Sequence, residues 1–176
     1  MTAADPRALV LVGPMGAGKT SVGKRVARRL GRPFIDSDKA IVAEHGPIPA
    51  IFAERGESGF RLLERAAVQR ALATAGVVAL GGGAVLDAGT RAELRDHDVV
   101  LLTVDARTVR GRIRGGRGRP LLDGEDPVRR WQRITGERMP LYEEVADTVF
   151  DTSRGPLQDV VDKVAEWAEE RERGRG

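Results

Sequence analysis

The sequence predicts an α/β domain whose parallel β-sheet is covered by helices on both faces. Two observations carry this. Short, unbroken apolar runs alternate along the chain with stretches of amphipathic helical periodicity, the pattern of strands buried on both sides and joined by crossover helices. A glycine-rich turn of the form G-x-x-x-x-G-K-[ST] also sits between the first apolar run and the first amphipathic stretch, where a phosphate-binding turn belongs in such a fold. A chain of 176 residues suits one domain, so residues 1–176 are read as a single unit.

The apolar runs predict strands over 8–12 (ALVLV), 33–35, 77–80 (VVAL), 99–104 (VVLLTV) and 148–150. Each is short and free of charge, as a strand covered on both faces must be. Between them, amphipathic stretches predict helices over 19–30, 38–45, 57–75, 88–96, 108–114, 127–144 and 156–171. Residues 166–176 (EWAEERERGRG) read as a charged helix end, and the tail from about 168 to 176 is expected to be solvated. No internal repeat is visible.

Composition narrows the classes. At 41% hydrophobic and 31% charged residues, this is an ordinary soluble globular protein. No apolar run approaches the roughly 20 residues a membrane span requires, and the start MTAADPRALV has no signal-peptide pattern. Without cysteine there is no disulfide, thiolate metal site or cysteine nucleophile. A cytoplasmic location fits. The net charge of +3 raises the question of nucleic acid. The arginines are densest between Arg107 and Arg119, and only two Trp, one Tyr and four Phe are available for base stacking. A pocket for a small polyanion explains them more economically, so neither a nucleic-acid nor a membrane partner is expected.

The turn Gly13-Pro-Met-Gly-Ala-Gly-Lys-Thr20 fits the phosphate-binding pattern at every fixed position. Its glycines let successive N–H groups turn inward, and the helix that follows adds the positive end of its dipole. Gly16, Ala17, Gly18, Lys19, Thr20 and Ser21 are therefore candidate ATP-binding residues. Lys19 would reach the β- and γ-phosphates, and the Thr20 hydroxyl would coordinate Mg²⁺. The competing reading is a turn that merely links strand to helix.

Other positions suggest an acceptor site. Asp36 and Asp38 lie two apart at the end of a strand-like run, so both point toward the crevice. One would organise Mg²⁺ through water and the other accept a proton, although Asp36 or Ser37 would also serve as a helix cap. Arg61 and Glu64 share a helix face, and taken alone are equally a surface ion pair. Gly81, Gly82 and Gly83 follow the third strand, where a ligand approaches the backbone closely or a plain loop begins. Residues 112–123 (RIRGGRGRPLLD) read as a cationic lid, in which Arg114 and Arg117 could equally be solvated. Arg138, followed shortly by proline, says little by itself.

The ordered set of phosphate-binding turn, Asp-x-Asp, Phe-Arg-x-x-Glu, Gly-Gly-Gly, Arg-Pro-Leu-Leu and Arg-x-Pro-Leu-Tyr resembles the shikimate kinase family, from the turn to near residue 160. The resemblance implies a three-layer P-loop NTPase fold with strand order 2-3-1-4-5, as in the nucleoside monophosphate kinase group. It implies transfer of the γ-phosphoryl of ATP to the 3-hydroxyl of shikimate, giving shikimate 3-phosphate and ADP in aromatic amino-acid biosynthesis. Asp38, Arg61, Gly82 and Arg138 would hold shikimate within the Gly81–Gly83 turn, the two arginines pairing its carboxylate. Asp36 would support Mg²⁺ through water, Glu64 would orient Arg61, and Asp38 would accept the hydroxyl proton. Arg119 would contact the transferring phosphate from the lid, with Arg112 a weaker lid candidate. Arg154 and Pro156 would flank the adenine.

The resemblance further implies a shikimate-binding segment at about 37–64, a lid at about 113–125 and a monomer. Ala79 stands where some relatives carry a hydroxyl, and the lid is unusually rich in arginine. A kinase for gluconate or another carboxylated polyol is the alternative, because Arg61 and Arg138 fit any carboxylated acceptor. The Asp-x-Asp and Phe-Arg-x-x-Glu context favours shikimate. A P-loop regulatory or nucleic-acid-binding NTPase would lack this acceptor constellation.

Overall fold

The structure, a computed structural model, describes residues 7–114 and 126–176. Five parallel strands form one sheet: β1 Leu9–Val12, β2 Phe34–Asp36, β3 Val77–Ala79, β4 Asp98–Thr103 and β5 Thr148–Asp151. Their order is β2-β3-β1-β4-β5, as expected. The strand period of two sorts the central strand between two cores. Leu9 and Leu11 pack with α1 (Lys19–Leu30), α5 (Ala106–Arg114) and α7 (Leu157–Arg173) through Val22, Val109 and Val164. Val10 and Val12 face Val68 and Leu72 of α3 (Ile48–Leu72), Leu94, and Tyr142 of α6 (Pro127–Val145). Helix, sheet and helix thus make three layers.

A smaller cluster of Ile41, Ile51, Phe60 and Ala67 fastens α2 (Ser37–His45) to α3. The short helix α4 (Ala88–Glu93) follows the loop after β3 and is capped by Asp87, which accepts from the Thr90 N–H at 2.7 Å. The fold departs from the expected elements in two places. Helix α3 starts at Ile48, not near 57, and is broken at Gly56, whose φ of 69° and ψ of −179° are non-helical. Pro49 is accommodated in its first turn, where no intrahelical N–H is needed.

Residues 170 and 172–176 of the tail are exposed, as expected, yet the tail is tied to the fold at two points. Helix α7 runs to Arg173, Ala168 is buried, and Arg175 folds back to donate to both oxygens of Asp98 at 2.6 and 2.7 Å. Asp98 opens β4 and is 3% exposed, so its carboxylate needs a counter-charge.

Candidate active site

Phosphate-binding turn and acceptor crevice meet at the C-terminal ends of β1, β2 and β3, where open α/β sheets bind ligands. In the turn between β1 and α1, Gly16 and Gly18 adopt left-handed φ values of 82° and 91°, which a side chain would resist. Lys19, on the first turn of α1, donates to the carbonyls of Gly13 at 2.7 Å and Pro14 at 3.0 Å. Burial holds its ammonium down at about 8; the neighbouring Asp38 and Asp36 oppose that shift, and Arg138 reinforces it. Ser21, also in the first turn, is exposed.

Thr20 donates its hydroxyl proton to Asp36 at 2.6 Å. The other Asp36 oxygen caps α2, accepting from the N–H groups of Asp38 at 3.0 Å and Lys39 at 3.1 Å. Asp36 therefore both caps a helix and faces the phosphate-binding turn. Ser37 does not cap. It is fully buried, and its hydroxyl oxygen accepts from the Gly81 N–H at 2.9 Å. Asp38 is partly buried, and burial, reinforced by Asp36, raises its pKa against the pull of Lys19 and Arg61.

The three glycines are not a plain loop. A Cβ on Gly81 would lie 2.4 Å from an Asp38 oxygen, and one on Gly83 would lie 2.5 Å from the Arg61 guanidinium. Beside Gly82 stand Arg138 and Tyr142, and the Tyr142 hydroxyl donates to the Gly82 carbonyl at 2.5 Å. Arg61 donates to Glu64 at 2.8 Å, and Glu64 is 3% exposed, so this is no surface pair. Burial raises the Glu64 pKa while the Arg61 hydrogen bond and charge oppose the rise. Two guanidinium groups and one carboxylate thus converge on a glycine-lined crevice adjoining the Lys19 ammonium.

Elsewhere the picture is mixed. Arg112 is bound to the protein itself: to the carbonyl of Gly16, and to the carbonyl of Thr152 at 3.0 Å. Arg154 is exposed near Asp105, and Pro156 is the residue before α7. Arg119, Arg117 and the lid from 115 onward lie outside the described residues. Sequence reasoning passed over Ser37 as a prop for Gly81. It also missed Tyr142 as an anchor for Gly82, and Trp131 and Thr152, which bond to the phosphate-binding turn at Met15 and Ala17.

Known proteins resemble this chain in sequence and fold. The family profile described as "Shikimate kinase" matches residues 15–169. A shikimate kinase of Symbiobacterium thermophilum is 45% identical over 172 residues, spanning 94% of this chain and 99% of that protein. One from Corynebacterium efficiens is 45% identical over 88% of this chain and 92% of its own. Among solved structures, shikimate kinase from Acinetobacter baumannii in complex with shikimate aligns with a TM-score of 0.86 at 37% identity, covering 96% of each chain. A gluconokinase from Sinorhizobium meliloti, at 23% identity and a TM-score of 0.61 over 99% of this chain and 100% of its own, shares the fold. On sequence, topology and site geometry together, the chain belongs to the shikimate kinase family of ATP-dependent small-molecule kinases.

Proposed function

We propose that this site transfers the γ-phosphoryl group of ATP to the 3-hydroxyl of shikimate, giving shikimate 3-phosphate and ADP. The observation that carries it is the convergence of Lys19, the Asp36–Asp38 pair, Arg61, Arg138 and the Gly81–Gly83 turn in one crevice. Arg61 and Arg138 supply the two guanidinium forks a carboxylate accepts, and Glu64 fixes the orientation of Arg61. The 3-hydroxyl oxygen bonds to the γ-phosphorus as the bond to the β–γ bridging oxygen breaks, and the hydroxyl proton passes to Asp38. Lys19 follows the charge on the phosphates, and Arg119 is assigned the transferring group. Arg154 and Pro156 are assigned the adenine side, and Arg112, the weaker lid candidate, would have to exchange a protein carbonyl for nucleotide.

The donor set suits Mg²⁺, with Asp36 acting through water. Thr20 and Asp36 place hard oxygens 2.6 Å apart beside the turn, and no group of three His, Cys, Asp or Glu among the described residues could hold a metal alone. That matches a cation that takes most of its ligands from phosphates and water. Bound there, it neutralises charge on the β- and γ-phosphates. Action as a monomer is assigned on the family resemblance alone. No described helix is long and apolar enough to cross a membrane, and a cytoplasmic, ATP-supplied setting is assigned.

The test is coupled ADP release with shikimate, gluconate, nucleoside monophosphates and no acceptor. Shikimate alone should support rapid turnover; comparable turnover without acceptor, or a preference for gluconate, refutes the assignment.

A further inference from the structure

Three carbonyls of the phosphate-binding turn are held from outside by side chains of three other elements. The Trp131 indole N–H, on α6, donates to Met15 at 2.7 Å. Arg112, on α5, donates to Gly16. The buried Thr152 hydroxyl, just past β5, stands 2.8 Å from the Ala17 carbonyl and 3.0 Å from that of Thr103. These residues are 116, 96 and 135 positions from their partners, so the belt is purely tertiary.

The peptide bond gives these contacts a consequence. In a planar trans peptide the C=O and N–H point in opposite directions, and the chain contains no cis peptide among the described residues. Pulling the Met15 carbonyl outward therefore aims the Gly16 N–H inward, and pulling the Ala17 carbonyl outward aims the Gly18 N–H inward. Gly16 and Gly18 both have left-handed φ, where the backbone has most freedom to point elsewhere. The Ala17 N–H is already committed, closing the turn onto Pro14 at 3.2 Å.

We propose that Trp131 and Thr152 are positioning residues for nucleotide binding: by gripping Met15 and Ala17, they preset the Gly16 and Gly18 N–H groups toward the phosphates. Neither touches the reacting atoms. Preorganised donors bind without the cost of ordering the turn, so the effect falls on nucleotide affinity and not on the acceptor. The inference rests on residues 13–20 being the ATP site, which loss of ADP binding in a folded Lys19→Ala variant tests independently.

Calorimetry of ADP and of shikimate, each titrated into the full chain, supplies the test. Trp131→Phe removes the donor and Thr152→Val the hydroxyl; each should weaken ADP about fivefold, the worth of one hydrogen bond. Shikimate affinity should stay within about twofold of the parent, and Thr152→Ser, which restores the hydroxyl, should recover ADP binding. The proposal fails if either folded variant keeps parental ADP affinity, if shikimate weakens in parallel, or if serine does not rescue. Should a variant not fold, the unmodified chain decides by ¹H–¹⁵N NMR, with Trp167→Phe used to assign the indole signals. The Trp131 indole N–H should then be protected from solvent exchange before ADP is added; exchange in the free chain as fast as that of an unbonded indole overturns the proposal.

Discussion

Asp38 shows how much one side chain's surroundings decide. Burial and the adjacent Asp36 raise its pKa, while Lys19 and Arg61 limit the rise. A carboxylate shifted upward accepts a proton more readily near neutral pH, which suits a hydroxyl-proton acceptor. The same shift fixes a sign. Below its raised pKa Asp38 is protonated and cannot accept, so kcat should fall on the acid side at higher pH than an ordinary carboxylate would give. Asp38→Asn should lower kcat about 100-fold or more and erase that acid limb, with ADP affinity kept within about twofold. A kcat–pH profile with ADP calorimetry checks this; near-parental turnover removes Asp38 from the role. The Asp-x-Asp spacing pointed to this residue, but strand alternation does not place it: β2 ends at Asp36, and Asp38 sits in the first turn of α2. The capping and metal-side readings of Asp36 turned out not to compete, since its two oxygens face different partners. Trp131 and Thr152 were illegible because their partners lie more than a hundred residues away.

At the level of elements, the Gly81–Gly83 turn matters for what it leaves room for. Asp38 comes from α2 and Arg61 from α3, and both side chains occupy space that a Cβ on the turn would fill. The clash at Gly83 meets the far end of a flexible side chain, so Gly83→Ala should fold while pushing the Arg61 guanidinium aside. A displaced charge-assisted hydrogen bond predicts a shikimate KM about tenfold higher, with the ADP Kd unchanged. Steady-state kinetics with calorimetry separates the two, and an unchanged KM would mean that Arg61 does not need that space. The glycine run, the alternation of strands and helices, and the phosphate-binding turn were all readable, because each is a local pattern. The first half of α3 was not. Its eight residues before Gly56 are too few for a clear period, and their packing against α2 through Ile51 is tertiary.

Across the whole molecule the sheet has two working ends. The C-terminal strand ends carry the proposed site, whereas at the opposite end α7 and the tail close over the start of β4. There Asp98 is nearly inaccessible. Burial alone would push its pKa up, but Arg175 and Arg171 outweigh burial and hold it below the usual carboxylate range. Two arginines of the charged tail thus serve the fold. Because the folded-state pKa is depressed, the stabilisation is present above the ordinary carboxylate value and is lost as pH falls through the folded one. Arg175 is partly solvated and Arg171 remains 3.3 Å from Asp98, so Arg175→Ala should cost only about 1 kcal/mol, or roughly 2–4 °C in Tm at neutral pH. That gap should narrow as pH drops below the carboxylate range, while kcat and both KM values hold. Thermal melts from pH 7 downward test it, and an unchanged neutral Tm would mean that the Arg175–Asp98 pair adds nothing to the fold. The basis for expecting otherwise is the geometry: a bidentate fork at 2.6 and 2.7 Å on a buried carboxylate restrains the end of α7 against β4, on the far side of the sheet from the substrates.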